Sequence, residues 1–139
     1  MVKLIAGEKG KGKTKLILDM ANTEAKNSDG VVIYLDKSSK HMFELDRNIR
    51  LINVREYPVA DFDVLMGFIC GLVSGNHDIE SIYFDSFLVL ASLENQDPTD
   101  AIDKMIVLSE RLGVDFIISV SLGVNELDPK FKDIMELSL

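Results

Sequence analysis

The chain opens Met1-Val2-Lys3-Leu4-Ile5-Ala6-Gly7-Glu8-Lys9-Gly10-Lys11-Gly12-Lys13-Thr14, and this stretch decides the fold. Val2–Ala6 is a compact apolar run with the length of a buried strand. It breaks at Gly7 into the pattern G-x-x-x-x-G-K-[ST], which Gly7 to Thr14 match in full. Leu16, Ile17, Met20 and Ala21 then recur at three- and four-residue spacing, predicting a helix from Lys13 to about Ala25. A strand, a glycine-rich turn and a helix together aim successive backbone N–H groups, and the positive end of the helix, into one concavity. Gly7, Gly10 and Gly12 permit unusual backbone angles and close approach of a ligand. In such a phosphate cradle Lys13 would reach the β- and γ-phosphates and Thr14 would offer its hydroxyl to Mg²⁺. Glu8, Lys9, Lys11 and Lys15 complete the candidate nucleotide-binding stretch, with the three lysines enriching the local field for a polyanion.

Further along, Asn27-Ser28-Asp29-Gly30 stops the first helix. Short apolar runs follow: Val31–Leu35 ending at Asp36, Leu51–Val54, Ser81–Phe84 ending at Asp85, Phe116–Val120 and a last one over Ile134–Leu139. Between them, Asp61 is placed to cap a helix over Phe62–Ser74, which is apolar nearly all round and so predicted to be well buried. Asp97-Pro98-Thr99-Asp100 starts another, with Asp97 as cap, Pro98 in the first helical position and Gly113 as the stop. Strands alternating with helices imply right-handed crossovers and a mostly parallel sheet covered on both faces, a three-layer α/β fold in a single domain over 1–139. The site of such a sheet lies at the carboxyl ends of its strands, here Gly7, Asp36, Arg55-Glu56, Asp85 and Ser121.

Composition narrows the function. The 139 residues carry 15 Lys+Arg against 23 Asp+Glu, a net charge of -8. An acidic chain speaks against a nucleic-acid partner gripped over a broad surface, and Tyr34, Tyr57 and Tyr83 do not interleave with bases to make a stacking platform. The single cysteine, Cys70, excludes an internal disulfide and reads as an inert core thiol. No apolar run reaches the ~18 residues of a membrane span. The amino terminus runs into the glycine-rich loop rather than into a cleavable signal, so the expected compartment is the cytoplasm. His41 and His77 stand alone in sequence without metal-ligand companions and read as surface histidines.

Taken in order, the glycine-rich loop, Val31–Asp36, Arg50–Val54 and Tyr83-Phe84-Asp85-Ser86 resemble the RecA-like ATPase core of the P-loop NTPases over roughly residues 1 to 122. The whole chain is also similar to small ATP-binding P-loop proteins of Gram-positive bacteria. The resemblance makes Gly7–Thr14 a Walker A loop and Ile82-Tyr83-Phe84-Asp85 a Walker B strand, with Thr14 and Asp85 on Mg²⁺. It implies a polar γ-phosphate sensor at Ser121 or Ser119, and Walker B and sensor strands beside the phosphate-loop strand. RecA-like units also complete their sites with an Arg or Lys from a neighbouring subunit, so a homo-oligomer or an activating protein partner is implied.

The chain departs from the family at the general base. RecA-like enzymes place Glu two residues after the Asp that ends the second strand, where this chain has Ser38. Other P-loop ATPases place it directly after the Walker B Asp, where this chain has Ser86. Water activation would then fall to Glu56, Glu44 or Asp36, with Glu56 the first choice. The expected function is an Mg²⁺-dependent ATP-binding protein, with GTP as the alternative nucleotide, that hydrolyses slowly or on contact with a partner. The alternatives are a nucleotide-dependent switch or assembly subunit without turnover, and a kinase for a small metabolite bound over Asp36–Arg50, where Lys37, Lys40, Arg47 and Arg50 cluster.

Overall fold

A computed structural model describes residues 1–10 and 12–138. In chain order the elements are β1 (Val2–Ala6), α1 (Lys13–Asn27), β2 (Val31–Asp36), β3 (Ile49–Asn53), α2 (Phe62–Ser74), β4 (Ile79–Phe84), α3 (Phe87–Leu90), α4 (Thr99–Leu112), β5 (Asp115–Val120) and β6 (Met135–Ser138). The six strands form one sheet in the order β3-β2-β4-β5-β1-β6, and every pairing is parallel. The four inner strands β1, β2, β4 and β5 are buried in their centres because layers lie on both sides, which is why they read as continuous apolar runs, whereas edge strand β3 leaves Arg50 exposed.

The pleat sorts each strand's residues between two cores. Ile5, Val32, Tyr34, Tyr83 and Ile117 face α1, which contributes Ile17, Leu18 and Ala21. Leu4, Ile33, Leu35, Ile82, Phe84, Phe116 and Ile118 face the opposite way and form the larger core with Phe62, Leu65 and Ile69 of α2, Phe87 of α3, and Ile102 and Met105 of α4. The layer assignment follows from handedness. Crossing from β1 to β2 moves one way along the sheet, whereas β3 to β4 and β4 to β5 move the other way. Right-handed connections therefore put α1 on one face and α2 to α4 on the other.

Several boundaries differ from the sequence reading. The Leu51–Val54 run is strand over Ile49–Asn53, and Val54 opens a 3-10 turn to Glu56. The last strand is Met135–Ser138, and Leu139 lies outside the described residues. Helix α4 begins at Thr99, one residue later than predicted, but the Asp97 carboxylate does accept from the Thr99 amide at 3.0 Å. The Asp61 cap on α2 is present, accepting from the Val64 amide at 2.9 Å. Burial of α2 all round is not found. Only Phe62, Leu65 and Ile69 are buried, Val64 is 43% exposed, and Cys70 is half-buried rather than a core thiol. An outer-layer helix has one neighbour surface, so apolar residues on its other side stay in water. Among the described residues no helix is long and apolar enough to cross a membrane.

Candidate functional site

The described loop residues, Lys13, Thr14, Asp36, Asp85 and Ser121 lie at the carboxyl end of the sheet, where the loops after β1, β2, β4 and β5 meet. The loop after β1 returns on itself through Gly10 at φ +87° and Gly12 at φ +84°, left-handed angles that a side chain would strain. Gly12 is also the residue from which α1 starts, and no side chain among the described residues caps that helix, so its first amides are left for another acceptor. Lys13 is buried, and its Nζ donates to the Glu8 carbonyl at 2.9 Å, bridging the loop. Burial holds the ammonium below the ordinary lysine range, against the opposing pull of the Asp85 carboxylate. Glu8, Lys9 and Lys15 are exposed, and Lys11 lies outside the described residues.

Asp85 sits just beyond β4 and is 3% exposed. Three hydroxyls surround it. The Thr14 hydroxyl donates to Oδ1 at 3.4 Å, the Ser86 hydroxyl to the same oxygen at 3.5 Å, and the Tyr34 hydroxyl to Oδ2 at 2.8 Å. The first two are at the loose limit for hydrogen bonds between oxygens, so Oδ1 is held by weak contacts. Burial, together with the charge and the hydrogen bond of Asp85, pushes the Tyr34 phenol far above its ordinary range and keeps it a donor. Beside Asp85, Ser86 adopts φ +63° without being glycine, a strain of order 1–3 kcal/mol that surrounding contacts must hold. Its amide donates to Ser119 Oγ at 2.9 Å, and that hydroxyl donates to the Phe84 carbonyl at 3.3 Å.

The two sensor candidates thus separate. Ser119 is buried and braces the end of β4, while Ser121 lies past the end of β5, exposed on the wall of a cavity of about 1090 Å³. Lys9, Lys37, Lys40 and Arg55 supply basic groups to this cavity, and Glu94, Asp97, Glu126 and Asp128 supply acids. Among the described residues of the glycine-rich loop, Lys9 alone lines it, so the cavity lies beside the described part of the loop.

Asp36 ends β2 and is 2% exposed. Its Oδ1 accepts from the Lys37 amide at 2.7 Å, while Oδ2 is buried without a hydrogen-bond partner among the described residues. Burial, and then the nearby Asp85 charge, raise the Asp36 carboxyl above the usual carboxylate range. Glu56, the first choice for a base, is not brought to this group. It is exposed and lines a smaller cavity of about 520 Å³ with Arg47 and Arg50, whereas Arg55 faces the large one. The strand order explains this, because β3 is the sheet edge and β2 separates it from β4. Glu44 is exposed too and pairs with His41.

Sequence reasoning missed three participants. Tyr34 is hidden in an apolar run, and its hydroxyl is revealed only when β2 and β4 pair. Ser86 carries the strain described above. His41 is not an isolated surface histidine. Its side chain is 20% exposed, and one ring nitrogen, one Asp36 carboxylate oxygen and one Asp85 carboxylate oxygen all lie within 4.8 Å of one another. No protein-family model matches the chain, and no curated protein matches it.

Proposed function

We propose that the chain is an Mg²⁺-dependent nucleoside-triphosphate-binding protein of the RecA-like P-loop class, with ATP as the nucleotide and slow or partner-activated hydrolysis as its activity. The observation that carries this reading is the pairing of Thr14 with Asp85 across the sheet end, directly behind a loop turned by Gly10 and Gly12. Adjacent oxygen ligands of an octahedral Mg²⁺ stand about 3 Å apart, close to the 3.4 Å between Thr14 Oγ1 and Asp85 Oδ1. The donor set is all oxygen, as a hard cation requires. When bound, Mg²⁺ would neutralise charge on the phosphate oxygens. The loop amides and Lys13 would hold the phosphates, exchanging the Glu8 carbonyl for a stronger acceptor, and Thr14 and Asp85 would hold the ion. The parallel pairing of β5 with β1 supports the expected place of the sensor strand, whereas the Walker B strand, expected beside the phosphate-loop strand too, is β4 and is separated from β1 by β5.

Without a carboxylate at Ser38 or Ser86, turnover depends on Asp36 or on a group from a partner. The cavity beside the loop favours a second reading, phosphoryl transfer to a small metabolite whose anionic part meets Lys37, Lys40 and Arg55. Calorimetric titration with ATP and Mg²⁺, followed by phosphate release, tests both. Binding that is lost in Lys13→Ala and Asp85→Ala supports the class, and unchanged binding in both refutes it. Tight ATP retention with no release, alone or with partners, selects a switch. ADP formed only when a metabolite is added selects a kinase.

A further inference from the structure

We infer that Asp36, His41 and Asp85 form a site for a divalent transition-metal ion that binds without nucleotide. The site shares Asp85 with the nucleotide reading but does not rest on that reading. Two buried carboxylates and an imidazole, drawn from the end of β2, the turn after it and the end of β4, bring one ligand atom each to within 4.8 Å of the others. Three donors held at 2.0–2.2 Å from one ion stand roughly 3–4 Å apart, so small side-chain rotations close the triad on a cation.

An independent observation points to a ligand. Oδ2 of Asp36 is the buried side-chain oxygen left without a partner among the described residues, on a residue that is 98% buried. Lys13 acts on Asp85 and Lys37 on Asp36 through their charge, but among the described residues neither ammonium forms an ion pair with either carboxylate. Tyr34, Thr14 and Ser86 offer neutral hydroxyls to Asp85, and the Lys13 ammonium is turned to the Glu8 carbonyl. Buried carboxylates this close are relieved by protonation of one of them or by a shared cation, and this cluster has a place for a cation.

The histidine gives the ion its identity. His41 Nδ1 pairs with the Glu44 carboxylate, which orients the ring and leaves Nε2 as the donor available to an ion. A carboxylate behind a ligating imidazole is the usual support of metal-bound histidine. One nitrogen and two carboxylates suit Zn²⁺, Co²⁺, Mn²⁺ or Fe²⁺, whereas Mg²⁺ and Ca²⁺ gain little from imidazole. Three protein ligands leave coordination positions on the ion open to water or a substrate oxygen.

The test is a Co²⁺ titration of the full chain, stripped with chelator and free of nucleotide, followed by its visible absorption and by Zn²⁺ competition. The expected result is one Co²⁺ per chain, displaced by Zn²⁺ and not by millimolar Mg²⁺. Affinity should fall about 10–100-fold in His41→Ala and in the isosteric Asp36→Asn, and about tenfold in Glu44→Gln. His77→Ala, an exposed histidine elsewhere, should bind as the parent does. Circular dichroism establishes that each variant is folded. Absence of a one-to-one complex, equal affinity in His41→Ala or Asp36→Asn, or displacement by Mg²⁺ as readily as by Zn²⁺ overturns the site. Because no nucleotide is present, failure here leaves ATP binding untouched, and failure of ATP binding leaves this site untouched.

Discussion

The two faces of the sheet are built from alternate residues of the same strands, yet they differ in kind. Toward α2, α3 and α4, strand β2 sends Ile33 and Leu35, β4 sends Ile82 and Phe84, and β5 sends Phe116 and Ile118. Toward α1 the same strands send Tyr34 and Asp36, Ser81 and Tyr83, and Ile117 and Ser119, with Asp85 just beyond. One face is closed by aromatic and aliphatic packing, including Phe84 edge-on to Phe87 and to Phe116 with ring centroids 6.1 and 5.3 Å apart. The other carries polar groups at both ends of its apolar middle. At the amino end Glu24 of α1 takes hydrogen bonds from Tyr83, at 2.6 Å, and from Ser81. At the carboxyl end lie Asp36, Asp85 and their hydroxyl neighbours. Stability is thus concentrated on one side and chemistry on the other, which predicts that substitutions on the two faces separate in what they damage.

The largest effect should come from the apolar face. Phe84→Ala removes a fully buried ring from the centre of that core and should cost about 3–5 kcal/mol. Urea denaturation measures it. A loss under about 1 kcal/mol would mean that this face is not the main source of stability. Lys13→Ala should do the reverse. The ammonium's hydrogen bond in the free protein goes to a loop carbonyl, and its burial offsets the attraction of Asp85, so the melting temperature should change little, while ATP affinity falls about 100-fold, near 2.7 kcal/mol. Calorimetric titration of the folded variant decides this. A variant that unfolds before losing affinity would erase the distinction between the faces.

Much of this division was legible in the sequence, and its limits are physical. The runs Val2–Ala6, Val31–Leu35 and Ser81–Phe84 announced themselves because strands buried on both sides are apolar, although the last of these strands starts two residues earlier, at Ile79. The glycine-rich loop announced itself through local spacing. The partition between faces did not, since Tyr34 in Val-Val-Ile-Tyr-Leu-Asp has the hydropathy of a core residue until Asp85, 51 positions later, takes its hydroxyl. His41 was misread for the same reason. Its companions are five residues before it and 44 after it, and only the turn over Met42–Glu44 and the pairing of β2 with β4 unite them. Glu56 failed in the opposite sense, having the right position at a strand end but on the wrong strand. The order of strands in a sheet is a tertiary fact that no window of sequence contains.

A smaller effect sharpens the boundary between the faces. Tyr34→Phe keeps the ring, which stacks on Tyr83 with centroids 6.3 Å apart, and deletes only the hydroxyl that serves Asp85 Oδ2. Leaving a buried carboxylate oxygen without its donor should cost about 1–2 kcal/mol. It should also loosen the Asp85 carboxylate and weaken metal-dependent ATP binding more than metal-independent binding. Comparing titrations with and without Mg²⁺ measures the difference. Equal losses in the two would show that Tyr34 supports the fold alone.

The smallest effect has the opposite sign. Asp36→Asn preserves shape and the acceptor for the Lys37 amide but removes one of two buried carboxylates whose oxygens lie within 4.8 Å of each other. In chelator-treated protein the variant should be more stable at neutral pH, by about 2–4 °C in melting temperature, a fraction of what one core ring contributes. The gain should depend on pH in a fixed direction. Burial and the Asp85 charge hold the folded Asp36 carboxyl above its ordinary range, whereas in the unfolded chain it ionises near about 3.9. Above that point the unfolded parent sheds a proton that the folded parent retains, so parental stability falls as pH rises, and the asparagine variant escapes the fall. Melting curves of both proteins at about pH 4 and pH 7 should therefore converge at the lower value and diverge at the higher. Adding Zn²⁺ at pH 7 should reverse their order, because only the parent keeps both carboxylates for the ion. An Asn variant that is less stable at both pH values would mean that the polar end of this face holds the fold as firmly as the apolar face does.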